Sequence, residues 1–155
     1  MMRIPDSLRL EHEQLHAKLA EATHLAGRTG EAARTVARIM HPHFLREDDY
    51  AIPPLGLLAR LAKGQMAPDM AEVLPLVARL KEEMPLMIEE HRAIVGALVQ
   101  LGNAASEEGR REWAEFADEL RHHAQMEEEV LYPAAILVGE YVRHTLKPQA
   151  SSGQE

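Results

Sequence analysis

The stretch His43-Phe44-Leu45-Arg46-Glu47-Asp48-Asp49-Tyr50-Ala51-Ile52-Pro53 places a histidine and a glutamate one helical turn apart, with a proline six residues after the glutamate. The pattern returns 80 residues on as His123-Ala124-Gln125-Met126-Glu127-Glu128-Glu129-Val130-Leu131-Tyr132-Pro133. A Glu-His pair precedes each copy, Glu11-His12 and Glu90-His91, and these are 79 residues apart. The chain therefore reads as a helix with one histidine followed by a helix with His and Glu, done twice. Four histidines and two carboxylates from four helices are what a two-metal site inside a helical bundle requires.

At 155 residues the chain is one domain by expectation, long enough to bury a core without staples. Hydrophobic residues make up 46 % but aromatics only 4 %, so Leu, Ala, Met and Val must fill the core, which suits helices better than sheets. The net charge is −8, from 17 basic against 25 acidic residues, and no basic block is present. That balance argues against nucleic acid or an anionic membrane as partner and favours cations. With no cysteine, disulfides, thiolate nucleophiles, zinc fingers and iron–sulfur clusters are excluded. The N-terminus shows no apolar leader and no stretch approaches the ~18 apolar residues of a membrane span, so the expected location is cytoplasmic.

Pro5 and Asp6 open the first helix, over Ser7–Ala26, with a turn at Gly27–Gly30. The second begins near Glu31, is kinked or restarted at Pro42, and ends at Pro53-Pro54. A linker with a short helix over Leu57–Ala62 leads to a third, Met70–Leu101, bent or interrupted at Pro75 and Pro85. Gly102-Asn103 turns the chain into a fourth, Ser106–Tyr132, which Pro133 bends into a last segment reaching Leu146. The expected fold is all-α: an antiparallel up-down-up-down four-helix bundle over residues 1–146, with a short C-terminal helical extension. The polar tail 147–155 reads as disordered.

Steps of three and four residues define the seam that each helix buries. The first gives Leu8, His12, Leu15, Leu19 and Ala22; the second gives Ala32, Val36, Ile39, His43, Glu47 and Tyr50. The third gives Val77, Leu80, Met84, Met87, His91, Ile94, Leu98 and Leu101. The fourth gives Trp113, Phe116, Leu120, His123, Glu127, Val130 and Ala134. All six signature residues fall on otherwise apolar seams, where an unpaired carboxylate is costly and a metal ion resolves the cost. Two ions ~3.5–4 Å apart can share one bridging carboxylate, and imidazole suits iron, zinc and copper. Any one of these histidines alone could be an ordinary core residue with a hydrogen-bond partner; six together, repeated on four seams, point to metal.

The other polar residues weigh less. His16 lies one turn after His12 but off the seam; His41 and His122 are off-seam neighbours; His24 and His144 read as surface. Tyr50 lies on the seam beyond Glu47 and either packs in the core or donates a hydrogen bond to a metal-bound oxygen species. Glu13-x-x-His16 and Glu119-x-x-His122 have the spacing of ferritin-type sites, but both lie off the seams.

At these residues the chain resembles the hemerythrin-like family, the His-His-Glu cation-binding domains. The matching pieces are Leu10-Glu11-His12, His43 to Asp48, Glu90-His91-Arg92 and His123 to Pro133. The resemblance implies a four-helix bundle holding two iron ions, oxo- or hydroxo-bridged, on His12, His43, Glu47, His91, His123 and Glu127. Oxygen-carrying hemerythrins have a two-histidine pair on the third helix; here Val95 stands one turn after His91. The chain thus resembles the looser subgroup linked to oxygen or redox sensing, iron homeostasis, and peroxide or nitric oxide chemistry. The leading expectation is a non-haem di-iron protein binding dioxygen or a related small oxidant, as a monomer or weak homo-oligomer. A peroxidase-, catalase- or nitric oxide-handling enzyme and an iron-responsive interaction module are the alternatives.

Overall fold

A computed structural model describes residues 3–146, and all regular structure among them is helical, as a four-helix bundle requires. The segment 147–155, expected to be a disordered tail, lies outside the described residues. In chain order the helices are α1 (Asp6–Ala22), α2 (Gly27–Arg46), α3 (Leu58–Ala62), α4 (Val73–Glu107), α5 (Arg111–Met126) and α6 (Tyr132–Thr145). Tight 3-10 turns at Pro53–Leu57 and Pro68–Glu72 flank α3.

The turns differ from expectation in instructive ways. α1 stops at Ala22 and α2 starts at Gly27, four residues early at each boundary. Gly27 takes φ +76°, a left-handed conformation that glycine adopts without strain. Gly30 is inside α2, where an added Cβ would sit 1.7 Å from the Leu25 carbonyl oxygen. Gly102-Asn103 does not turn the chain: α4 runs through it to Glu107, and the turn falls at Gly109, φ +70°. Pro42 and Pro85 are both accommodated inside continuous helices, and Pro75 sits in the first turn of α4, where a missing donor costs little. The two turns meet at one end of the molecule. Glu108 accepts from the Thr29 backbone N–H at 2.6 Å, and Arg110 donates to the Ala26 carbonyl at 3.2 Å.

Two segments leave the α-helical path, and they are the two copies of the motif. Glu47–Ala51 and Glu127–Leu131 each form one π-helical turn, in which the carbonyl of the motif glutamate accepts from the N–H five residues on, Ile52 or Tyr132. Pro53 and Pro133 follow at once and have no N–H to continue an α-helical ladder. The extra residue rotates everything downstream. After Glu127 the inward position is Tyr132, which is buried, and not Val130, which is 55 % exposed and corrects its expected place on the seam.

The remaining seam residues are buried or half-buried as their spacing predicts. They form an apolar cluster around Val36, Phe44, Leu98 and Phe116 toward the turns. A second cluster around Ile52, Leu80, Met87 and Tyr132 lies beyond the motif. The six polar residues occupy the gap between the two. Among the described residues no helix is long and apolar enough to cross a membrane.

Candidate metal centre

All six predicted residues come together, and each is buried: His12, His43, Glu47, His91, His123 and Glu127. α1 supplies His12, α2 and its π turn supply His43 and Glu47, α4 supplies His91, and α5 and its π turn supply His123 and Glu127. The donor atoms fall into two groups within 4.8 Å, His43–Glu47–His91–Glu127 and His12–His123–Glu127. His43 and His91 bring their Nε2 atoms to 2.8 Å, and His12 and His123 bring theirs to 3.1 Å. The carboxylates lie between these pairs. Glu127 Oε1 is 3.8 Å from His91 Nε2 and 3.5 Å from His123 Nε2. Glu47 hydrogen-bonds His43 through Oε1 and points Oε2 at His12 Nε2, 3.9 Å away.

Carboxylates behind the histidines fix which nitrogen faces inward. His123 Nδ1 bonds Glu11 at 2.6 Å and His91 Nδ1 bonds Glu128 at 2.9 Å, so both rings offer Nε2 to the centre. Glu90 stands 3.7 Å from His43 Nδ1 and is held by Arg46 at 2.6 Å. The Glu-His pairs of the sequence thus act across the bundle: each glutamate faces the histidine of the opposite hairpin.

The protein atoms alone do not satisfy this cluster. His43 Nδ1, Glu47 Oε2, Glu90 Oε1 and Glu127 Oε2 are buried without hydrogen-bond partners. Each unpaired polar atom costs about 1–3 kcal/mol in a dry interior. Burial, then the neighbouring Glu47 charge, pushes the Glu127 carboxyl well above the usual range. Burial acts on Glu47 in the same sense, but the neighbouring Glu127 carboxyl and the His43 and His91 rings outweigh it and hold that carboxyl low. Burial, and then the His12 ring, lowers His123, keeping it in the neutral form that binds metals. Nitrogen and carboxylate donors and orphaned oxygens all fit a bound cation.

Tyr132 is a residue that the seam analysis missed. Its hydroxyl lies 3.1 Å from Glu47 Oε1, 3.1 Å from His91 Nε2 and 3.4 Å from His43 Nε2. Burial, then the Glu47 and Glu127 charges, pushes its pKa up, so the phenol keeps its proton. The signal was the proline six residues after the glutamate, which marks a π turn and moves the inward position from the third or fourth residue to the fifth. Tyr50, the expected hydrogen-bond donor, is buried but directed elsewhere. Its hydroxyl donates to Glu83 and contacts Met87 Sδ at 3.4 Å, with the Arg79 guanidinium 4.5 Å above its ring. His16 is half-buried with its ring 3.6 Å from that of Phe44, while His24, His41, His122 and His144 are exposed.

A buried His/Glu cluster shared by four helical stretches defines a metal-binding helical bundle. Comparison with known families agrees: residues 83–147 match the hemerythrin HHE cation binding domain. The matched part contains His91, His123, Glu127 and Tyr132, and it is the family that the sequence resembles. No curated protein and no solved structure matches the chain.

Proposed function

We propose that the whole chain is a hemerythrin-like di-iron protein that binds dioxygen or a related small oxidant within the bundle, serving oxygen or redox sensing or handling. The observation that carries this reading is the placement of both motif carboxylates between two histidine pairs, with an oxygen of each left unpaired. Two irons held by His12, His43, Glu47, His91, His123 and Glu127 would supply open coordination positions and one-electron redox steps. The chain's own residues prepare that chemistry. Glu11 and Glu128 hold the imidazoles in one orientation. The apolar clusters on either side keep bulk water from the centre. Anaerobic loading with Fe(II) should give about two irons per chain, the number a bridged pair requires. Exposure to air should then add near-ultraviolet absorption. Retention of more than half the iron by the His43→Ala, Glu127→Ala double variant would falsify the assignment.

The position of Tyr132 favours a second reading, turnover of peroxide or nitric oxide at the same centre. Its hydroxyl lies 3.1 Å from Glu47 Oε1, where it could donate a hydrogen bond to a reacting molecule. Steady-state peroxide consumption that falls in Tyr132→Phe at unchanged iron content would support an enzyme. Stoichiometric bleaching without turnover would leave the binding reading alone standing.

A further inference from the structure

The last helix, α6, is apolar around most of its circumference. A helix covered on one face needs one apolar stripe; a second stripe calls for cover on the other side as well. The inward stripe of α6 is Tyr132, Ala135, Val138, Gly139 and Val142, all buried. The outward stripe steps by three and four through Ala134, Leu137 and Tyr141. Among the described residues nothing covers it: Leu137 is 68 % and Tyr141 51 % exposed. Beside it lies α3, which fully buries none of its five residues. Leu58, 43 % exposed, and Leu61 stand across from Leu137 and Tyr141 in a groove of about 360 Å³ that no charged residue lines. Large exposed apolar side chains elsewhere, Leu10, Leu45, Leu86 and Val99, are spread over α1, α2 and α4 and form no such groove.

Residues 147–155, which follow α6 in the chain, include no leucine, isoleucine, valine, methionine or aromatic residue, so they carry nothing to fill the groove. The charges around the face select an arrangement. Glu128 and Glu129 precede α6, and Arg143 and His144 end it. Two copies of α6 packed antiparallel set each acidic end against a basic one, while a parallel pair sets like against like. Antiparallel pairing is also what a two-fold axis through the face generates. With that axis at Leu137, Tyr141 of one copy meets Pro133 of the other, a large side chain against a small one. Glu140, the one acid within α6, pairs with Lys81 and Arg143 of its own chain and so brings no free charge to the contact.

We infer that the α3–α6 face is the contact between two copies of this chain, packed antiparallel about a two-fold axis near Leu137. The size of the face sets the strength. The 14 residues of α6 span about 21 Å, and α3 adds a second ridge about 10 Å away. That is the small end of stable interfaces, so the dimer dissociates in the micromolar range. The contact does not depend on the metal reading, because Tyr132 and Leu137 lie on opposite sides of α6.

Sedimentation velocity on the full chain, from about 1 to 200 μM, reads the association directly. The wild type should pass from monomer to dimer across that range. Leu137→Glu should weaken association by roughly tenfold or more, since it sets a charge at the middle of the contact. Leu45→Glu, at an exposed leucine on α2, should leave it unchanged. Disulfide capture reads the orientation. The chain has no cysteine, so Leu137→Cys introduces its sole thiol. Helices crossing at about 8–10 Å, each with a Cα radius of about 2.3 Å, bring two Cα atoms at the axis to roughly 3.5–5.5 Å, which overlaps the span of a disulfide. Mild oxidation should turn most of Leu137→Cys into covalent dimer and leave Leu45→Cys monomeric. Capture adds no charge, so it decides the matter even if Leu137→Glu fails to fold. A wild type that stays monomeric at about 200 μM overturns the inference. So does a dimer lost in Leu45→Glu but kept in Leu137→Glu, a dimer that Leu137→Cys does not capture, or equal capture of the two cysteines. A monomer that binds phosphatidylcholine vesicles, and loses them in Leu137→Glu, assigns the face to a membrane and overturns it too.

Discussion

Replacing both motif carboxylates, Glu47→Met with Glu127→Met, should make the metal-free protein more stable. Methionine matches glutamate in length, suits a helix and carries no charge to bury. The substitution removes Glu47 Oε2 and Glu127 Oε2, both buried and unpartnered. At about 1–3 kcal/mol for each unsatisfied group the relief is about 4 kcal/mol. Against it stand two lost hydrogen bonds, Tyr132 to Glu47 at 3.1 Å and His43 to Glu47. Each is worth about 1 kcal/mol. The balance is about 2 kcal/mol in favour of the variant, which for a chain of this size raises Tm by about 4–8 °C.

With metal the order reverses. A cation at a hundred times its Kd stabilises the wild type by about 2.7 kcal/mol, and the variant, having lost both carboxylates, gains little. Paired calorimetric melts, one with chelator and one with excess Fe(II) under anaerobic conditions, read both signs. A variant that melts several degrees below wild type in chelator would show that the carboxylates stabilise the fold as an ordinary polar core. The argument that they are retained for a cation would then be wrong.

Tyr50→Phe should cost about 1–2 kcal/mol through the lost hydrogen bond to Glu83 and leave iron content unchanged; loss of iron in this variant would place Tyr50 at the centre after all. Glu11→Gln and Glu128→Gln should each lower metal affinity by about 10- to 100-fold in a competitive chelator titration, because they loosen the rings of His123 and His91. Gly139→Ala should destabilise by about 1–3 kcal/mol in a urea melt, since the new methyl would meet Val77 Cγ1 at 2.5 Å where α6 crosses α4; a neutral result would mean that the two helices can separate there.

What could be read from the sequence depended on whether a signal stayed local. His12, His43, Glu47, His91, His123 and Glu127 were legible because α-helical stepping holds without interruption up to each motif glutamate. Tyr132 was not, because stepping by three or four from Glu127 lands on Val130 and the π turn inserts a residue just there. Gly102-Asn103 looked like a helix stop, yet an added Cβ on Gly102 would make only ordinary contact with Ala117, at 3.7 Å, so nothing local forces a turn. Gly109, with positive φ, carries that duty. The roles of Glu11 and Glu128 needed knowledge of which helices face each other. Glu11 bonds a histidine 112 residues away, and no spacing within one helix reports that.

That separation bears on why the motif occurs twice. His12 pairs with His123 across 111 residues, and His43 with His91 across 48. Each pair draws one histidine from either hairpin, so neither hairpin holds a complete donor group by itself. A cation at either position would join distant parts of the chain much as a crosslink does, restricting the unfolded ensemble more as the closed loop lengthens. Metal binding and docking of the hairpins are then one event, because the donors meet only in the docked form.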